Sequence, residues 1–206
     1  MKKVLLTLGV ALLTAVGAQA QIGYGVKAGV NLGKYSNWAD QQKNNTSFYV
    51  TGFADLPVAS QFSIQPGVSL QGKGAKVEVG NSDNTLTRNV MSIEVPVNAV
   101  YYIPTGASGS VFLGAGPYVG FNVSGKDKIK GNVGNLVSYT GDTDLKIGSD
   151  KDIKLFDAGA NFMLGYKMNN GFLINAGYNL GMTDINPKVS DTQSNRVWSF
   201  GIGFQL

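Results

Sequence analysis

Tyr24-Gly25-Val26-Lys27-Ala28-Gly29-Val30-Asn31-Leu32 decides the fold. Read in steps of two, one set is Tyr24, Val26, Ala28, Val30 and Leu32, and the other is Gly25, Lys27, Gly29 and Asn31. A helical period would mix the two sets; a half-buried strand keeps them apart. The same split recurs in Phe48 to Leu56, and in Phe62 to Leu70, where Phe62, Ile64, Val68 and Leu70 oppose Ser63, Gln65, Gly67 and Ser69. Ile93 to Ile103, Val111 to Val123, Phe156 to Tyr166, Phe172 to Leu180 and the closing Trp198 to Leu206 repeat it. That predicts eight strands of about ten residues, an even number, each long enough to cross a bilayer at a tilt.

The two faces are chemically unequal. One is uniformly bulky and apolar; the other is Gly, Ser, Asn and Gln with a few ionisable groups. A soluble lipocalin-like barrel would bury its apolar face around a ligand. An eight-stranded barrel has only enough interior for side chains to fill, which suits the small polar face. The bulky face then meets lipid, with Tyr24, Tyr101, Tyr166, Tyr178 and Trp198 available for interfacial girdles. Closure follows, because an open edge leaves backbone groups unsatisfied in hydrocarbon. The expected fold is all-β, an eight-stranded antiparallel transmembrane β-barrel with up-and-down meander topology.

Connections point the same way. Pro57 to Gln61, Pro104 to Gly109 and Met168-Asn169-Asn170-Gly171 are short, the last carrying an Asn-Gly hairpin signal. Gly33 to Ser47, Lys73 to Asn89, Ser124 to Lys154 and Met182 to Asn195 are long, and the two kinds alternate. Short periplasmic turns and long extracellular loops have this rhythm. Pro66, Pro96 and Pro117 fall inside strands, where bulges or strand ends are expected.

Composition agrees. Gly is 28 of 206 residues, about twice the usual ~7%, and charged residues are 15% against a usual ~25%. Met1-Lys2-Lys3, the apolar run Val4 to Val16 and the Ala18-Gln19-Ala20 ending form a cleavable signal peptide over residues 1–20, leaving 21–206 as the exported barrel. Losing Lys2 and Lys3 takes the net charge from +4 to +2, so nothing favours nucleic acid. The chain has no Cys and no His, which removes thiolate metal sites, Cys nucleophiles, Ser-His-Asp triads and the commonest general base. Outer-membrane barrel enzymes of similar architecture work through a histidine, so no enzyme and no cofactor are expected.

In order along the chain, Tyr24 to Asn31, Ile64-Gln65-Pro66-Gly67-Val68, Ile93-Glu94-Val95-Pro96-Val97, Gly114-Ala115-Gly116-Pro117-Tyr118 and Trp198 to Phe204 resemble the small outer-membrane β-barrel family of diderm bacteria labelled porin-family or PorT-like. The resemblance implies the fold, an outer-membrane location and contact with membrane lipid, lipopolysaccharide and the insertion machinery. The family is functionally mixed, so it implies no reaction. The C-terminal strand resembles the family's assembly signal, with Leu206 in place of the usual terminal aromatic.

Lys27, Asp55, Glu94, Asp157 and Lys167 are the ionisable residues on the inward face. They form either the lining of an ion-selective pore or an internal network that pairs charges and plugs the barrel. Both readings require Lys27 to meet a carboxylate, because buried charge must be paired. Asp142, Asp144, Asp150 and Asp152 are weak calcium candidates, since their spacing is not that of an EF-hand and nearby lysines balance them. The function expected is a structural or surface-interaction role through four extracellular loops, with a protein partner there. A small diffusion channel and a secretion-accessory role are the alternatives, and a soluble ligand-binding barrel a further one.

Overall fold

A computed structural model describes residues 22–38, 42–78, 84–133, 137–149, 151–186 and 191–206. The expected signal peptide lies outside these residues, as does Asp150. The strands are β1 (Gly23–Tyr35), β2 (Gln42–Ala59), β3 (Phe62–Glu78), β4 (Thr85–Pro104), β5 (Gly109–Val133), β6 (Val137–Asp144), β7 (Phe156–Met168), β8 (Phe172–Gly181) and β9 (Asn195–Gln205). Eight of them close a ring in the order β1-β2-β3-β4-β5-β7-β8-β9, every pairing antiparallel, with β9 returning to β1. The ninth strand, β6, takes over the edge of β5 beyond the point where β7 ends.

The period-two reading holds on the wall. Val26, Val68, Leu113, Leu164, Trp198 and Ile202 are exposed, while Asn31, Ser69, Glu94, Asn122 and Asp157 are buried. That inversion of the usual soluble pattern belongs to a barrel whose outer solvent is lipid. The Asn-Gly turn forms between β7 and β8, with Gly171 at φ 88° in the left-handed region that favours glycine.

Three expectations change. The first three long connections are mostly strand, and Met182 to Asn195 is not: β2 to β5 run 18, 17, 20 and 25 residues, well past the ~9–11 that cross a bilayer. Beyond the lipid the outer face turns polar, so the apolar alternation stops while the hydrogen-bonded ladder continues. Pro66, Pro96 and Pro117 make neither bulges nor strand ends. Pairing lapses beside each of them, between β2 and β3, β3 and β4, and β4 and β5, yet the register on both sides is the same. A missing N–H costs a bond without inserting a residue. The register shift in the β4–β5 pair instead falls between Met91 and Ser92, where Val123 is the extra residue. The inward face also carries Tyr49, Phe53, Tyr102, Phe112 and Tyr118, so it is less uniformly small than expected.

The seam where the ring closes relies on glycine. Gly29 of β1 lies opposite Gly201 of β9. A Cβ on Gly29 would overlap the Phe200 carbonyl oxygen, and one on Gly201 would overlap the Ala28 carbonyl oxygen and the Tyr49 hydroxyl. Gly29→Ala should therefore destabilise by about 1–3 kcal/mol through overpacking against backbone that cannot yield. Urea unfolding followed by the heat-modifiable gel shift measures it, with Gly52→Ala as control, since a Cβ there meets nothing within 4 Å.

Candidate functional site

The lumen is filled at three heights. At the periplasmic end Phe53, Val100, Phe112 and Leu173 pack together, with Tyr102 and Met163 against them. They come from β2, β4, β5 and β8, so the plug spans the bore. Three of the expected lumen residues gather around it. Asp55 accepts hydrogen bonds from Gln65 Nε2 (3.1 Å), Gln205 Nε2 (2.9 Å) and Tyr102 Oη (3.3 Å). Lys167 Nζ lies 4.9 Å from the Tyr102 ring centroid, and Lys27 Nζ 4.5 Å from that of Phe53.

Lys27 corrects the expectation. Among the described residues it has no ion-pairing carboxylate within 4 Å; its Nζ donates to Met163 Sδ at 3.7 Å. The lysine that pairs with the lumen acids is Lys73 of β3, 1% exposed, bonded to Asp157 Oδ2 at 2.7 Å and ion-paired with Glu94. Expectation placed Lys73 at the start of a loop. The signal was its odd number: it continues the inward series Ser63, Gln65, Gly67, Ser69, Gln71.

Around this triad further donors converge on the two carboxylates. Asp157 also accepts from Asn195 Nδ2 (2.8 Å), Thr183 Oγ1 (2.9 Å) and Tyr118 Oη (3.3 Å), and Glu94 from Asn179 Nδ2 (3.2 Å). Lys73 Nζ additionally sits 4.7 Å from the Tyr118 ring centroid. The cluster ties β3, β4, β5, β7, β8 and β9 together across the bore. Between it and the plug lies a polar cavity of about 70 Å³, lined by residues including Asn31, Thr51, Ser69, Asn98 and Asn175. That is room for a few waters and no more.

A cap closes the extracellular mouth. Ile185 is buried with Tyr35 and Ala75, and Trp38 packs on them. Ile185 N–H donates to the Gln193 carbonyl and Lys154 N–H to that of Ile185. Lys154 Nζ holds Asp184 Oδ2 at 2.7 Å. Burial pushes the Asp184 carboxyl up, but hydrogen bonds from Lys154 and from the Gln193 and Asn186 N–H groups outweigh it and hold the group below the usual carboxylate range. Arg88 grips Asp127 through two bonds of 2.8 and 2.7 Å beneath Trp38.

The described calcium candidates, Asp142, Asp144 and Asp152, do not converge. Asp142 and Asp144 lie opposite Lys128 and Lys126, and Asp152 accepts from the Lys146 N–H. Among the described residues no group of three or more potential ligands forms.

A closed meander ring with an apolar outer wall and a polar, packed bore defines an integral outer-membrane β-barrel. Residues 18–186 match the family model described as outer membrane protein beta-barrel domain, and the chain belongs to that family. No curated protein sequence matches it. Similar solved structures include the attachment invasion locus protein Ail of Yersinia pestis, at 13% identity and TM-score 0.46, covering 91% of this chain and 100% of that one. The outer membrane protein OprG from Pseudomonas aeruginosa is 12% identical at TM-score 0.47, covering 89% and 95%. Neisserial surface protein A is 14% identical at TM-score 0.44, covering 89% and 96%.

Proposed function

We propose that the chain is a sealed, non-catalytic outer-membrane barrel that works through its extracellular surface, in partner binding or envelope integrity. The observation that carries this reading is the filled lumen: an apolar plug, a buried ion triad and a cap in series. The cavity left between plug and triad, about 70 Å³, is far below what a diffusion pore needs, and open porins use about 16–18 strands. What projects instead is sheet. The twelve residues from Asn122 to Val133 of β5 reach about 40 Å at ~3.3 Å per residue, flanked by β4 and β6. We read residues 1–20 as the export signal and the chain as a PorT-like member, and neither brings a reaction with it.

Residues 21–206, refolded and checked for a heat-modifiable gel shift, should give no discrete conductance steps in a planar bilayer. Reproducible steps from folded protein would return the chain to the channel class.

A further inference from the structure

Above the apolar belt the outer wall becomes basic, and its cations are arranged against their own repulsion. On the β1–β9 pair, outward Lys34 lies directly opposite Arg196, two residues beyond the lipid-facing Leu32 and Trp198. On the β2–β3 pair, Lys43 lies directly opposite Lys76. Like charges facing each other across a ladder destabilise it. The register shift at Val123 sets Ser124 opposite outward Met91, which turns Lys126, Lys128 and Lys130 to the outside as well. Inward, Gly125 backs onto Leu145 and Ile153.

Counter-charge on this face is thin. Glu78 serves both Lys43 (3.6 Å) and Lys76 (3.8 Å), and Asp144 meets Lys126 at 3.7 Å with 87% of its side chain exposed. Such long, exposed pairs contribute little. Among the described outward residues of these strands and β6, seven cations stand against Glu78, Asp142 and Asp144. Without Lys2 and Lys3 the chain carries only +2, so the described part of this collar is more basic than the barrel as a whole.

We infer that this collar binds the phosphate groups of the lipid that forms the outer leaflet, the phosphorylated glucosamine head of lipopolysaccharide. A lipid whose chains lie against Leu32, Val30 and Trp198 presents its phosphates one or two residues higher, at the level of Lys34 and Arg196. The occupant is therefore continuous with the apolar belt, and its charge is the one the collar lacks. Repulsion within the collar turns into attraction once an anionic surface sits against it. The inference does not depend on the lumen being sealed.

The test embeds the mature barrel in nanodiscs of phosphatidylcholine containing a minor fraction of bis-phosphorylated lipid A, then extracts it into detergent and counts retained lipids by mass spectrometry. Wild type should retain lipid A over phosphatidylcholine, and retention should fall as salt rises. Lys34→Gln, Lys76→Gln, Lys128→Gln and Lys130→Gln combined should cut retention by about tenfold or more, since each cation near an anionic surface is worth several-fold in binding. The gel shift verifies that the variant still folds. Equal retention by variant and wild type would overturn the proposal, and so would no preference for lipid A. Release by millimolar inorganic phosphate alone would assign the collar to a soluble anion instead.

Discussion

Lys73→Met is expected to destabilise the barrel by about 3–5 kcal/mol, the usual cost of removing one partner from a buried ion cluster. The substitution keeps the volume and deletes the only cation facing Glu94 and Asp157 among the described residues. Both acids are at most 1% exposed, so water cannot screen what is left. The penalty comes from two uncompensated carboxylates rather than from the lost bonds. A triple variant, Lys73→Met with Glu94→Gln and Asp157→Asn, therefore separates causes. It removes every charge while keeping hydrogen-bonding groups for Asn179, Asn195 and Thr183, and should recover most of the loss. Urea titration in lipid vesicles, read by the gel shift, gives all three values. A triple variant as unstable as Lys73→Met would mean that packing around the lysine stem, not charge, holds the cluster.

That experiment targets a residue which sequence reading placed in a loop, and the reason is physical. In this barrel it is lipid that forces apolar alternation, so the pattern is sharp from Phe62 to Leu70 and stops where the wall leaves the membrane. Gly72 and Gly74 then take the places that Val68 and Leu70 hold in the apolar series, and the apolar residues that follow, Ala75 and Val77, have the opposite parity, so the pattern is lost as the strand runs on to Glu78. Parity still assigned Lys73 to the inside. What parity cannot give is height. Lys27 and Lys73 share a face but stand at different levels, because strand tilt and stagger decide which inward residues meet across the bore. Lys27 therefore meets Phe53 and Met163, while Lys73 reaches the acids. The same limit hid the plug. Phe53 and Phe112 have inward parity, yet only the closed ring brings them to one level with Val100 and Leu173.

The plug yields the second large effect. Phe53→Ala with Phe112→Ala removes two rings from a four-residue cluster, and each deletion should cost about 3–5 kcal/mol as transfer plus cavity. Stability alone would not show that the plug seals anything. The chain has no cysteine, so a single introduced thiol reports water access without background. Thr51 lines the cavity above the plug and is 8% exposed, which makes Thr51→Cys a small change in the right place. With the plug intact, a charged water-soluble thiol reagent should react with it slowly, limited by local opening of the barrel. With both rings gone, the rate should rise towards that of an exposed thiol, while the bilayer recording stays silent because the Lys73 triad and the cap still close the other end. Fast labelling behind an intact plug would show that the lumen is open from the periplasm, and would remove the lower of the seals on which the non-channel reading stands.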